Sequence, residues 1–73
     1  MTDPRPSLVT VNGQVERLDA VMSVGSLLDG KALRTHRIAV ERNGEIVPRS
    51  AFDCTWLNHG DRVEIVVAGA RPA

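Results

Sequence analysis

A chain of 73 residues has room for one domain with one modest core, since a chain of this size buries only about 60% of the surface its unfolded form exposes. Nine Lys and Arg against nine Asp and Glu give a formal net charge of zero, so no global field draws it to nucleic acid or anionic lipid, and any partner is recognised locally. The single cysteine, Cys54, excludes an internal disulfide, no apolar run approaches the ~20 residues that span a bilayer, and the opening residues lack an apolar signal core, which predicts a cytoplasmic protein.

The first six residues, with Pro4 and Pro6 and nothing apolar to anchor them, read as a flexible arm (1–6). Structure is predicted from Ser7. Leu8-Val9-Thr10-Val11 is rich in β-branched residues and runs into Asn12-Gly13, the dipeptide suited to a tight type I′ hairpin turn. Residues 14–18 form the return strand, in which Val15 and Leu18 differ in parity, so a bulge or an early strand end is expected near Arg17.

Ser23 is the expected N-cap of a short helix whose Val24, Leu27 and Leu28 share one face. Gly25 and Gly30 each cost about 1 kcal/mol in a helix interior, so this helix needs a sheet to pack on. Its end is expected near Gly30 or Ala32, with Leu33 plugging the connection to the next strand. From His36 the pattern returns to period two, with Ile38 and Val40 on one face, followed by a second Asn-Gly turn at Asn43-Gly44. Pro48 stops the return strand because it has no N–H for a ladder. Residues 49–58 are irregular yet hold Phe52, Cys54, Trp56 and Leu57, which predicts a short helical turn packed on the sheet. The final turn, His59-Gly60-Asp61, leads into a strand whose Val63, Ile65 and Val67 face the core, and residues 68–73 form a flexible tail.

Hairpin, helix, hairpin, linking loop and strand predict an α+β β-grasp domain over 7–67, a mixed four- to five-stranded sheet packed on one short helix. The last strand is the most apolar and belongs at the centre.

Reactive side chains are few. Cys54 reads as a small buried hydrophobe beside Phe52 and Trp56, or alternatively as a thiol that accepts sulfur. His36 and His59 have no partner at ligand spacing, so no metal site is expected. Asp61 with Arg62 reads as a solvated turn pair. Trp56 is either an interface anchor or a cap on the core. Arg37, Glu41 and Arg42, with Arg49 nearby, are placed on the exposed side of the second hairpin, either as a docking face or as a solvated sheet surface.

Val11-Asn12-Gly13, the helix start Ser23-Val24 with Leu27-Leu28, the run from Ile38 through Asn43-Gly44 to Pro48-Arg49, and His59-Gly60-Asp61-Arg62-Val63-Glu64 together resemble the ThiS family of sulfur carriers, from about Leu8 to Val67. The resemblance implies a ubiquitin-like fold and a protein that is not itself an enzyme. It also implies a C-terminal carboxylate that a partner adenylates with ATP and converts to a thiocarboxylate for thiazole synthase, with no cofactor bound to the carrier. The expected partners are therefore the adenylating sulfur-transfer enzyme and thiazole synthase, and the free carrier is expected to be a monomer. Docking is assigned to Arg37, Glu41, Arg49, Trp56 and Val67.

The family ends in Gly-Gly, which lets a threaded tail approach a nucleotide closely. Here those positions fall at about Arg71 and Pro72, before Ala73, and such a tail is expected to carry poorly. The modified C-terminus would be Ala73 as written, or Gly69 after trimming, which leaves two residues beyond Val67 and a reach of about 7 Å. Trimming, an altered tail, and a docking module without carrier chemistry all stay open, as does a carrier resembling the molybdopterin synthase small subunit.

Overall fold

The computed structural model describes residues 7–34 and 37–67; the expected arm (1–6), the expected tail (68–73) and His36 lie outside them. Five strands form one sheet in the order β2-β1-β5-β3-β4, with β1 Ser7–Val11, β2 Gln14–Leu18, β3 Ile38–Arg42, β4 Glu45–Val47 and β5 Arg62–Val67. The sheet is mixed. β1 and β5 run parallel and the other neighbours antiparallel, with the last strand at the centre as its apolar sequence predicts. One helix, α1 (Val24–Gly30), follows the first hairpin, and a 3₁₀ helix (Arg49–Cys54) starts directly after Pro48.

Both ends of α1 are built by local chemistry. The Ser23 hydroxyl accepts the Ser26 N–H at 3.1 Å, the predicted N-cap. At the other end the Leu33 N–H reaches the Leu28 carbonyl (2.9 Å) and the Ala32 N–H the Asp29 carbonyl (3.1 Å), a Schellman motif with Ala32 at φ +57° where glycine is usual. Leu33 packs against the core there, as expected. Val24 and Leu28 are fully buried against a sheet face made by Val9, Val11, Leu18, Val40, Val63 and Ile65. Truncating Leu28 to Ala would cost about 2–5 kcal/mol.

Four expectations are corrected. The β1–β2 register runs unbroken from Val11 opposite Gln14 to Ser7 opposite Leu18, so there is neither a bulge nor an early strand end at Arg17. Val15 instead faces solvent, while Glu16, on the inward side with Leu18, is covered by Lys31 at 2.6 Å. Cys54 is exposed, because three residues per turn let the 3₁₀ helix aim only Phe52 fully inward. Asp61 and Arg62 do not pair, because alternation along β5 turns Asp61 inward with Val63 and Arg62 outward. Arg42 shares the inward parity of Val40 and is not part of the exposed face.

Candidate functional site at the end of the last strand

β5 is the element that any C-terminal chemistry depends on, because the chain passes from it directly into residues 68–73. It is held from both hairpins. On the β3 side the Asn43 N–H donates to the Arg62 carbonyl (2.7 Å) and the Asn43 Oδ1 accepts the Arg62 N–H (2.9 Å). On the β1 side the Asn12 Oδ1 accepts the Ile65 N–H (2.7 Å) and its Nδ2 donates to the Ile65 carbonyl (3.2 Å). Each asparagine is the first residue of an Asn-Gly turn, at φ +50° for Asn12 and +53° for Asn43, so one residue supplies the turn and a clasp on the central strand. These contacts escape a reading of the sequence, which offers the turn signal but nothing about where the amide points.

The start of β5 is fixed by charge. The Asp61 carboxylate, on a residue only 6% exposed, accepts from Arg42 Nε (2.8 Å), Asn43 Nδ2 (3.0 Å) and the Asn58 N–H (2.7 Å). Burial alone pushes this carboxyl up, but the hydrogen bonds from Asn58, Asn43 and Arg42, with the Arg42 charge, outweigh it and hold it below the usual carboxylate range. A second cluster locks α1 to the 3₁₀ helix. Arg34 makes paired hydrogen bonds to both Asp29 and Asp53, and a Cβ at Gly25 would collide with the Arg34 and Asp53 side chains. Hydrogen bonding to Arg34 holds the Asp53 carboxyl below its ordinary value.

The residues assigned to docking do not form one surface. Arg37 is exposed just before Ile38, which pairs with Val67, so both lie where β5 ends, and Val67 is partly buried. Glu41 is exposed on the sheet face opposite α1, between Glu64 of β5 and Ile46 of β4. Arg49 is committed elsewhere, donating to the Arg34 carbonyl (3.1 Å) with its guanidinium 5.8 Å from the Phe52 ring centre. Trp56, 53% exposed, sits at the start of α1 through a bridge with Ser23, toward the end of the sheet where β5 begins. Gly69 and Ala73 lie outside the described residues.

Sequence reasoning missed the apolar side chains of the open face. Val66 beside Ala39, and Ile46 beside Glu41, are exposed at 63% and 73%. The signal was present, since the alternation that buries Val63 and Ile65 turns Val66 out. His59 has a structural task, its Nδ1 accepting the Leu8 N–H at 3.0 Å. Among the described residues no group of His, Cys, Asp and Glu could hold a metal ion, and no helix is long and apolar enough to cross a membrane.

Known proteins share this arrangement. The crystal structure of the thiamine biosynthesis protein ThiS from Geobacter metallireducens superposes with a TM-score of 0.75 at 32% identity, over 89% of this chain and 99% of that one. The NMR solution structure of a thiamine biosynthesis protein from the same organism gives 0.69 at 32% identity, over 90% and 91%. A thiazole synthase from Paramagnetospirillum magneticum is 40% identical over 58 residues, which are 80% of this chain but 18% of that protein's length. The uncharacterized protein ycf40 of Porphyra purpurea is 31% identical over 58 residues, 80% of this chain and 82% of that one. The ThiS family model itself matches residues 9–70, from the first buried valine of β1 past the end of β5, and the chain belongs to the ThiS family.

Proposed function

We propose that this chain carries sulfur for formation of the thiazole of thiamine, as a C-terminal thiocarboxylate. A partner enzyme would join the carboxylate to the α-phosphate of ATP with loss of pyrophosphate, and a sulfur donor would then displace AMP from the acyl-adenylate. Thiazole synthase would receive the sulfur. The observation that carries the reading is the family match over residues 9–70. Two others support it. The solved relatives are thiamine biosynthesis proteins, and a region of a thiazole synthase is 40% identical to this chain.

The fold suits such a role. A carrier needs a rigid body that presents one end of the chain, and β5, the central strand, ends beside the exposed Arg37 and Val66. We place the docking face on Arg37 and Glu41 with Val66 and Ile46, where exposed valine and isoleucine supply contact area and the charges supply register, while Val67 lies on the inward side of β5. Arg49 and Trp56 lie off this face and would belong to the outer reach of a larger interface. The bond-making chemistry belongs to the partners.

One feature favours a second reading, a docking module that carries no sulfur. Arg71 and Pro72 stand where the family has glycines, and a cationic side chain followed by a fixed φ obstructs close approach to a nucleotide. Intact mass of the protein from sulfur-replete cells, kept from acid and reductant, separates the two. A species with one oxygen replaced by sulfur, on Ala73 or on Gly69 after trimming, is expected for the carrier. Unmodified protein throughout, together with adenylation gained only when Arg71-Pro72-Ala73 is replaced by Gly-Gly, would establish the docking module instead.

A further inference from the structure

We propose that Asn12 is a positioning residue whose side-chain amide stands in for a missing strand residue and gives the end of β5 its last hold on the β1 side; its consequence for acyl transfer rests on the carrier reading above. The parallel ladder between β1 and β5 pairs Thr10 with Arg62 and Val11 with Val63, and β1 then turns away. The Asn12 N–H makes the last backbone contact, to the Val63 carbonyl at 2.9 Å. One rung further on, the Ile65 N–H and carbonyl point toward a strand that is no longer there. The Asn12 amide meets both, at 2.7 and 3.2 Å. A primary amide offers the same donor and acceptor as a peptide group, so the ladder gains a rung made by a side chain.

Among the described residues this is the last hold on the β1 side. Beyond it Val66 and Val67 are flanked only by β3, through Ala39 and Ile38. Without the amide the final β1-side hold falls back two residues to Val63, and residues 64–67 are held by β3 alone. A root held from one side only is looser, which lowers the effective concentration of the terminal carboxylate in a partner's site and leaves the docking face untouched. The choice of residue is narrow. At φ +50° Asn, Asp and Gly are the residues that sit at low cost, and of these only Asn supplies both a donor and an acceptor.

The test uses Asn12→Gly, which keeps the left-handed turn and deletes the amide, and Asn12→Asp, which keeps an acceptor only. Native-state hydrogen exchange followed by NMR should show the Ile65 amide in Asn12→Gly accelerated about five- to tenfold more than the Val40 amide, whose rate reports the loss of global stability, with Asn12→Asp in between. Equal Ile65 exchange in Asn12→Gly and the parent, or the same acceleration at every sheet amide, would overturn the proposal. Adenylation by the partner enzyme supplies the second arm, with a several-fold lower kcat at unchanged KM expected for Asn12→Gly. An unchanged kcat in a chain that is adenylated would also overturn positioning. A parent chain that is never adenylated sinks the carrier reading, while the exchange result still decides whether Asn12 supplies the last β1-side hold on the strand.

Discussion

The two Asn-Gly turns have the same sequence, similar left-handed backbones and the same target strand, yet they hold β5 by different physics. Asn43 splits its amide, the oxygen taking the Arg62 N–H and the nitrogen donating to the buried Asp61 carboxylate, which also meets Arg42 and Asn58. Asn12 gives both ends of its amide to one peptide group, at Ile65, with no charge involved. The start of the central strand is therefore fixed by a desolvated charge network, and its end by neutral hydrogen bonding.

The largest effect expected from breaking this contrast is at Asp61. Asp61→Ala leaves Arg42, the Asn43 amide and the Asn58 N–H without their shared acceptor, and should lower stability by about 3 kcal/mol in urea or guanidinium unfolding. Asn43→Gly keeps the turn but removes the link to both Arg62 and Asp61, with an expected loss of about 2 kcal/mol in the same measurement. Asn12→Gly removes only neutral hydrogen bonds and should cost about 1 kcal/mol, so the order of the two glycine variants tests the contrast directly.

Acid should separate the clasps further. The folded Asp61 carboxyl is held below its unfolded value, so its stabilisation is present above the unfolded pKa of about 3.9 and is lost as pH falls through the folded value. Unfolding midpoints measured from neutral pH downward should show this loss in the parent and in Asn12→Gly, and a shallower slope in Asp61→Asn. Equal slopes in all three would place the acid sensitivity elsewhere. The smallest effect has the opposite sign. Ala32 is the third left-handed residue among the described residues that is not glycine, at φ +57°, and its methyl clasps nothing, so Ala32→Gly should stabilise by about 0.5–1 kcal/mol.

Much of the fold could be read from local chemistry. The Asn-Gly pairs, Ser23 and Pro48 marked turns, a helix start and a strand end through properties of single residues, and period-two alternation assigned Val63 and Ile65 inward. Readings failed where a residue's fate depended on what lay across space. The parity mismatch of Val15 and Leu18 predicted a bulge or an early strand end, but β2 is an edge strand, where Lys31 covers the inward Glu16 and Val15 is left outside. Cys54 and Phe52 look alike as apolar residues in a loop, and only the docking of the 3₁₀ helix chose which one is buried. The docking residues were chosen by chemical type, and the structure spreads them over separate parts of the surface.

By itself the sequence determined the order of the elements, the central place of the last strand and the family, because these follow from turn chemistry, apolar periodicity and motifs that act over a few residues. Tertiary structure alone decided that Asn12 and Asn43 reach across to β5, that Asp61 pairs with Arg42 rather than Arg62, and that Gly25 leaves room for the Arg34–Asp53 pair. The partners in those contacts lie 19 to 53 residues apart wherever they clasp β5. Their meeting is set by sheet register and helix packing, which no local pattern encodes.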